Sequence, residues 1–124
     1  MYFDNQKLIV ACIYRPPLSL ERVNTNVNRA MVYLSEQNSK QLLIGGDFNY
    51  PRIDWINCFV ETGATNTVHR AESNFLDSCQ DCFLYQNVFE FTRKRGQNEP
   101  SLLDLIFTKN ELEIETIIYD TPLA

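Results

Sequence analysis

Three short polar stretches carry the residue types best suited to chemistry. They are Tyr14-Arg15, Asp47-Phe48-Asn49 and Asp104, the last within the run SLLDLIF. Each lies at the end of, or inside, an apolar run that predicts a β-strand. Because ligands bind at strand ends in open α/β sheets, these positions suit a functional site.

The segment IGGDFN places a carboxylate and a carboxamide two residues apart. Side chains alternate along an extended chain, which predicts Asp47 and Asn49 on one side and Phe48 on the other. The carboxylate can orient or deprotonate a water, and the amide can hydrogen-bond a phosphate oxygen. The two glycines before Asp47 let the backbone approach a ligand closely. The pair therefore suits phosphoryl chemistry.

The same residues also have purely structural interpretations. Gly-Gly-Asp-x-Asn is typical of an Asx-turn, in which the aspartate bonds to nearby backbone. Tyr14 could be an amphipathic residue at a strand end. Asp104 could cap a helix or pair with an arginine, since a buried carboxylate needs a partner or a metal. Arg93-Lys94-Arg95 is typical of a solvated loop and could equally contact a phosphate backbone.

Apolar runs predict the strands that position these residues. KLIVACIY is apolar almost throughout, which predicts a central strand covered on both faces. Tyr2-Phe3 predicts a strand before it, joined by a tight turn. QLLIGG predicts a short buried strand, and VFEFT, LLDLIFT and ETIIYDT predict three more. Residues 50–70 predict an irregular loop anchored by Ile53 and Trp55.

Two helices are predicted between these strands. The spacing of apolar residues predicts the first over residues 20–37, with Ser19 as its N-cap. The second is predicted over residues 73–85. Its inward face comprises Phe75, Leu76, Cys79, Cys82 and Phe83. Alternating strands and helices indicate an α/β fold, and 124 residues correspond to one domain or part of one.

Composition limits the class of function. A net charge of −5 argues against a large basic surface for nucleic acid, although a metal-dependent nuclease brings carboxylates of its own. Zinc binding by Cys79 and Cys82 would need a second ligand pair, so both are predicted to be reduced and packed as small hydrophobes. The absence of a membrane-length apolar run and of a signal-peptide pattern predicts an intracellular protein without a membrane partner.

The motifs IYRPP, LLIGGDFNYPRIDW and FTRKRG…SLLDLIFT, in this order, resemble the endonuclease/exonuclease/phosphatase superfamily. The likeness is greatest to endonuclease domains of non-LTR retrotransposons, whose reading frames continue into a reverse transcriptase. It covers nearly all of residues 1–124 and implies a partial domain, its C-terminal half. The implied fold is part of a four-layered α/β sandwich, two mixed sheets flanked by helices, truncated at both ends. The implied activity is Mg²⁺- or Mn²⁺-dependent cleavage of DNA, in the nucleus.

The resemblance implies a role for each matching catalytic position. Tyr14 would contact the scissile phosphate, and Asp47 would position and activate the attacking water. Asn49 would bind the phosphate and support the transition state. Asp104 would hydrogen-bond and orient a catalytic histidine.

Other positions of the family match partly or not at all. Thr92 and Arg93 would contact the DNA phosphate, although Phe91 stands where the family often has proline. The catalytic histidine and the metal-binding glutamate have no match, and His69 corresponds to neither. The resemblance therefore implies an inactive fragment with no metal ligand set of its own. The alternatives are a truncated or degenerate non-catalytic module and a phosphatase of the same superfamily.

Overall fold

The computed structural model describes residues 7–61, 70–90 and 102–111, together with residues 114 and 117. Within them the chain is α/β, as predicted, with two helices, a four-stranded sheet and a two-stranded sheet. In chain order the elements are β1 (Leu8–Tyr14), α1 (Glu21–Glu36), β2 (Gln41–Asp47), β3 (Ile53–Asp54), β4 (Phe59–Val60), α2 (Arg70–Asp81), β5 (Tyr85–Gln86) and β6 (Asp104–Thr108).

The larger sheet has the strand order β1-β2-β6-β5. β1 and β2 are parallel and are connected through α1, whereas β6 is antiparallel to both β2 and β5. We call the side that packs against α1 and α2 the inner face, and the opposite side the outer face. The inner face is fully buried at its centre, by Leu42, Ile44, Leu105 and Phe107.

The prediction that β1 is central and covered on both faces is wrong for the described residues. β1 is the first strand in the sheet order, and its burial alternates along its length. On the outer face Leu8 is 58% exposed and Val10 is 61% exposed. A continuous apolar run indicates that both faces are suited to burial. Only the inner face is covered by the described helices.

Aromatic rings fill the space between the helices and the sheet. Phe75 of α2 is the centre of this cluster, with ring centroids 4.8 Å from Tyr50, 5.1 Å from Phe48 and 6.0 Å from Phe107. Trp55 packs edge-on against Phe75 and Phe107. Ile53 and Trp55 are buried, as predicted, and the segment they anchor also contains the unpredicted hairpin formed by β3 and β4.

Helix α1 confirms the first predicted helix but begins differently. Leu20, not Ser19, is the N-cap, and no side chain caps the first turn. The Ser19 hydroxyl instead donates a hydrogen bond to the Pro16 carbonyl, so it serves the turn after β1. Val27 and Met31 are the buried residues of the apolar face.

Helix α2 begins three residues before the predicted start and ends four residues before the predicted end. Phe83 adopts a left-handed conformation, with φ of 56°. Its N–H donates to the Gln80 carbonyl at 3.0 Å, and the Leu84 N–H donates to the Cys79 carbonyl at 3.1 Å. These two bonds form a Schellman motif that closes the helix.

This early end corrects part of the predicted inward face. Phe75, Leu76 and Cys79 are buried as predicted, but Phe83 is 81% exposed and Cys82 is half-buried beyond the helix. Cys79 is a free thiol packed in the core, and burial raises its pKa above the ordinary value.

The predicted strand VFEFT is wrong for its described residues 88–90, because the strand lies earlier, at β5. The Gln86 side chain explains the difference. Its Oε1 accepts the Val88 N–H and its Nε2 donates to the Val88 carbonyl, each at 2.6 Å. These bonds use the Val88 backbone groups that a continued strand would pair.

LLDLIFT forms β6, as predicted, from Asp104 onward. The predicted strand at Tyr2-Phe3 lies outside the described residues, as does ETIIYDT apart from Ile117. Within the part of the chain that the structure describes, neither helix has the length and apolar character needed to cross a membrane.

Candidate active site

Three of the predicted site residues lie side by side across three adjacent strands. Tyr14 at the end of β1 is the register partner of Asp47 at the end of β2. Asp47 is in turn the register partner of Asp104 at the start of β6. Opposed residues on paired strands share a face and have Cβ atoms about 5 Å apart. We call Tyr14, Asp47 and Asp104 the polar row; it lies on the outer face.

The two aspartates of the polar row line an open depression of about 280 Å³. The residues lining it are Gly46, Asp47, Val88, Asp104, Leu105, Ile106 and Ile117. Both aspartates of the row are half-buried, whereas Tyr14 is 66% exposed. The arrangement offers a phenol to solvent beside two carboxylates at the wall of a small concave space.

The turn after β2 combines the two interpretations of GGDFN. An Asp47 carboxylate oxygen, Oδ1, accepts the Asn49 backbone N–H at 3.2 Å, which is the Asx-turn contact. Asn49 has a φ of 51°, so the extended conformation ends before it. Phe48 points away from Asp47 into the aromatic cluster, as predicted. Strand alternation does not place Asn49 beside Asp47, contrary to the prediction.

The Asn49 side chain is held by the protein itself. It is 9% exposed, and its Nδ2 donates to the Arg15 carbonyl at 2.6 Å. An asparagine amide carries two N–H groups and one acceptor oxygen, so this contact uses one of its two donors. The contact fixes the side chain at the edge of the site.

Arg15 lies in one of the three polar stretches, and the structure shows that it supports the site, although no role was predicted for it. It is 5% exposed, although it directly follows the exposed Tyr14. Its guanidinium donates to the carbonyls of Asn49 at 2.9 Å and Phe48 at 3.3 Å. The available signal was its position between the end of an apolar strand and Pro16-Pro17, where the chain must turn inward.

Comparison with known proteins identifies the family. A family model described as endonuclease-reverse transcriptase matches residues 8–123. The chain belongs to the endonuclease-reverse transcriptase family. This confirms the resemblance to the endonuclease/exonuclease/phosphatase superfamily. No curated protein and no solved structure matches the chain.

The segment that matches the endonuclease-reverse transcriptase family includes the polar row and Asn49. Asp104 is the first residue of its strand, directly across from Asp47, rather than a residue inside an apolar strand. The predicted DNA contacts Thr92 and Arg93 lie outside the described residues, as does His69.

The described residues do not complete a metal site. Carboxylate oxygens are the ligands that Mg²⁺ prefers, and Asp47 and Asp104 are neighbouring carboxylates on one face. However, no group of three or more His, Cys, Asp or Glu residues able to hold a metal ion occurs in ranges 7–61, 70–90 and 102–111. The two aspartates would therefore need ligands from elsewhere to bind Mg²⁺.

Tyr50 extends the site-supporting contacts into the core. Its ring lies 3.9 Å from the Arg15 Cζ, and within the described residues no hydrogen bond of regular geometry reaches its buried hydroxyl. Burial raises the pKa of Tyr50, and the positive charge of Arg15 partly opposes that rise. The ring thus supports the guanidinium while its hydroxyl stays neutral.

Proposed function

We propose that the chain is part of a Mg²⁺- or Mn²⁺-dependent DNA endonuclease of a retroelement protein. The polar row is the observation that carries this proposal. In a chain of a nuclease family, it brings two carboxylates from two strands to the wall of one depression and a phenol from a third strand beside them.

The residues of the site divide the work of phosphodiester hydrolysis. Asp47, oriented by the Asn49 backbone N–H, accepts a proton from the attacking water. The exposed Tyr14 hydroxyl donates to a non-bridging phosphate oxygen. The Asn49 N–H that does not bond to Arg15 stabilises negative charge as it develops on the phosphate. Asp104, one strand away, orients a histidine supplied from outside this chain.

The metal ion would supply charge neutralisation and polarise a phosphate oxygen. Asp47 and Asp104 are the described residues best placed to contribute ligands, and a glutamate outside this chain would contribute another. We further propose that a second sheet covers the outer face, giving a four-layered sandwich. The exposed apolar side chains Leu8 and Val10 support that cover.

The proposal assigns DNA as the substrate and a reverse transcriptase as the neighbouring domain in the longer reading frame. It also places the protein in the nucleus, where its substrate is. The support for these assignments is the family, whose description joins an endonuclease to a reverse transcriptase.

A plasmid-nicking assay tests the proposed function. The 124-residue chain and the longer product of its reading frame are incubated with supercoiled plasmid and Mg²⁺. We expect nicking only by the longer product, and a loss of about 100-fold or more in rate for Asp47→Asn, the size of general-base effects. Asp77→Asn, on an exposed position of α2, is the matched control and keeps the rate.

Three outcomes would change the proposal. Nicking by the 124-residue chain, abolished by Asp47→Asn, would show that the chain holds a complete site. Unchanged nicking by Asp47→Asn in the longer product would remove Asp47 from the mechanism. Hydrolysis of a small phosphate ester without nicking would favour the phosphatase alternative.

A further inference from the structure

Arg15 is a buried charge that bonds to neutral groups in the described part of the chain. Its guanidinium donates from Nε to the Asn24 Oδ1 at 2.7 Å and from one terminal nitrogen to the two carbonyls named above. A buried charge is costly unless it is well hydrogen-bonded. These hydrogen bonds offset that cost and fix the side chain beside the turn after β2.

The contacts of Arg15 concentrate on the residues that carry the proposed chemistry. Its backbone N–H donates to the Asp47 carbonyl at 2.8 Å. Its side chain donates to the carbonyls of Phe48 and Asn49, and its own carbonyl accepts the Asn49 Nδ2. Arg15 thus forms hydrogen bonds with three consecutive residues. With Asn49 it is both donor and acceptor, because its guanidinium donates to the Asn49 carbonyl and its carbonyl accepts from the Asn49 amide.

The Nε atom and the face of the Arg15 guanidinium contact residues outside the site turn. Asn24 belongs to α1, and the Tyr50 ring supports the guanidinium plane. The planar fork can satisfy Nε and a terminal nitrogen at fixed angles while stacking on a ring, and a lysine ammonium cannot reproduce this. The site turn is therefore tied to α1 and to the core through one side chain.

We propose that Arg15 is a positioning residue that holds Asp47 and Asn49 in the geometry needed for phosphodiester hydrolysis. The geometric part of this proposal, that Arg15 holds the turn, follows from the contacts above. The expected effect of Arg15 on the rate rests on the proposed endonuclease function. Arg15 acts through Asp47 and Asn49 and does not touch the reacting phosphate.

The geometric part is tested by hydrogen exchange of the Asn49 side-chain amide, followed by NMR on the 124-residue chain. Losing the fork should free the turn, so Arg15→Lys is expected to accelerate this exchange about 10-fold or more, in line with loss of a local restraint. Arg29→Lys, on an exposed position of α1, is the control and leaves the exchange unchanged.

Asn24→Ala provides a milder probe in case Arg15→Lys does not fold. It removes only the Nε partner, and the Asn49 amide is then expected to exchange about three-fold faster. Unchanged exchange in a folded Arg15→Lys protein, or in Asn24→Ala when Arg15→Lys is unfolded, overturns the proposal.

The effect on rate is tested by a double-mutant cycle in the longer, nicking-competent product. Arg15→Lys is expected to lower kcat about 10-fold or more, as a small misplacement of catalytic groups does, while KM changes little. Asn49→Gly removes the amide and keeps the left-handed turn. In that background Arg15→Lys should cost less than in the wild type, because only its effect through Asp47 remains.

Equal costs of Arg15→Lys in both backgrounds would show that it does not act through Asn49, and would overturn the proposal that it positions both residues. If the wild-type product nicks no DNA, the proposed function fails, and the exchange of the Asn49 amide still decides the geometric part. The two failures are therefore separate.

Discussion

The two faces of the four-stranded sheet both carry apolar side chains but have very different surroundings. On the inner face Leu42 and Ile44 are 1% and 0% exposed, packed beneath the helices. On the outer face Leu8 and Val10 are more than half exposed, and the polar row lies at the end of the same face. The inner face stabilises the fold, whereas the outer face carries the polar row.

The difference shows how the site depends on the core. Asp47 and Phe48 are consecutive, yet one borders the depression and the other is fully buried among aromatic rings. Their opposite directions follow from the pleat of β2. The position of the carboxylate is therefore set by packing on the face where it does not lie.

The largest expected difference between the faces is in leucine truncation. Leu42→Ala is expected to cost about 2–5 kcal/mol of unfolding free energy, because it leaves a cavity in the inner layer. Leu8→Ala, the same change on the neighbouring strand, should cost less than about 1 kcal/mol. Urea unfolding followed by Trp55 fluorescence measures both. Equal losses would mean that the outer face is packed as tightly as the inner.

A smaller difference is expected between two adjacent glycines. A Cβ on Gly46 would stand 1.8 Å from the Ile13 carbonyl oxygen, so β1 and β2 must separate. Gly46→Ala should therefore lose more than about 1 kcal/mol of stability. A Cβ on Gly45 would meet nothing nearer than 3.9 Å, and Gly45→Ala is the control, expected within about 0.5 kcal/mol. Thermal melts of the two variants make the comparison, and similar losses would contradict the tight approach.

Substitution of Tyr50 tests whether its buried hydroxyl contributes to the stability of the fold. Within the described residues its buried hydroxyl makes no hydrogen bond of regular geometry, so Tyr50→Phe should be neutral or stabilise by up to about 1 kcal/mol. Because the pKa of Tyr50 is raised in the folded chain, the Tyr50 hydroxyl ionises at a lower pH in the unfolded chain than in the folded one. Stability should be complete below the ordinary tyrosine pKa and fall as pH rises above it.

The Tyr50→Phe protein lacks this ionisation, so its stability should fall less steeply above the ordinary tyrosine range. Urea midpoints across alkaline pH values give the two slopes. Parallel slopes would show that burial does not raise the pKa of Tyr50, and a marked loss of stability at neutral pH would show that its hydroxyl makes a stabilising hydrogen bond.

The smallest effect is expected at Phe83. It is exposed because its left-handed backbone ends α2 and directs the chain away from the helix's apolar face. Its left-handed φ costs a non-glycine residue energy at the end of α2. Phe83→Gly should therefore gain a few tenths of a kcal/mol, roughly the balance of that strain and glycine entropy. Phe59→Gly, at a strand position, is the matched control and should lose stability. A loss at Phe83 would indicate a packing contact.

Local patterns were sufficient to predict the helices, β2, β6 and the grouping of Tyr14, Asp47 and Asp104 at strand ends. They were not sufficient at two element ends. Near β5, the Gln86 side chain bonds to the Val88 backbone where a strand was predicted. At the end of α2, Phe83 adopts a left-handed conformation that is usually found at glycine.

The role of Arg15 also could not be predicted from local sequence. An arginine after an exposed tyrosine is usually solvated, and its burial depends on Asn24 and Tyr50, which are distant along the chain. The covering of β1 likewise depends on which element packs on each face. Both properties are tertiary, and no pattern within a short window contains them.

The register of the central strands constrains how this gene can change in length. Tyr14, Asp47 and Asp104 meet only because β1, β2 and β6 are aligned residue by residue. A one-codon insertion or deletion within β1 would turn Tyr14 toward the helices and Ile13 toward the outer face. Length changes that keep the polar row together should therefore accumulate outside these strands.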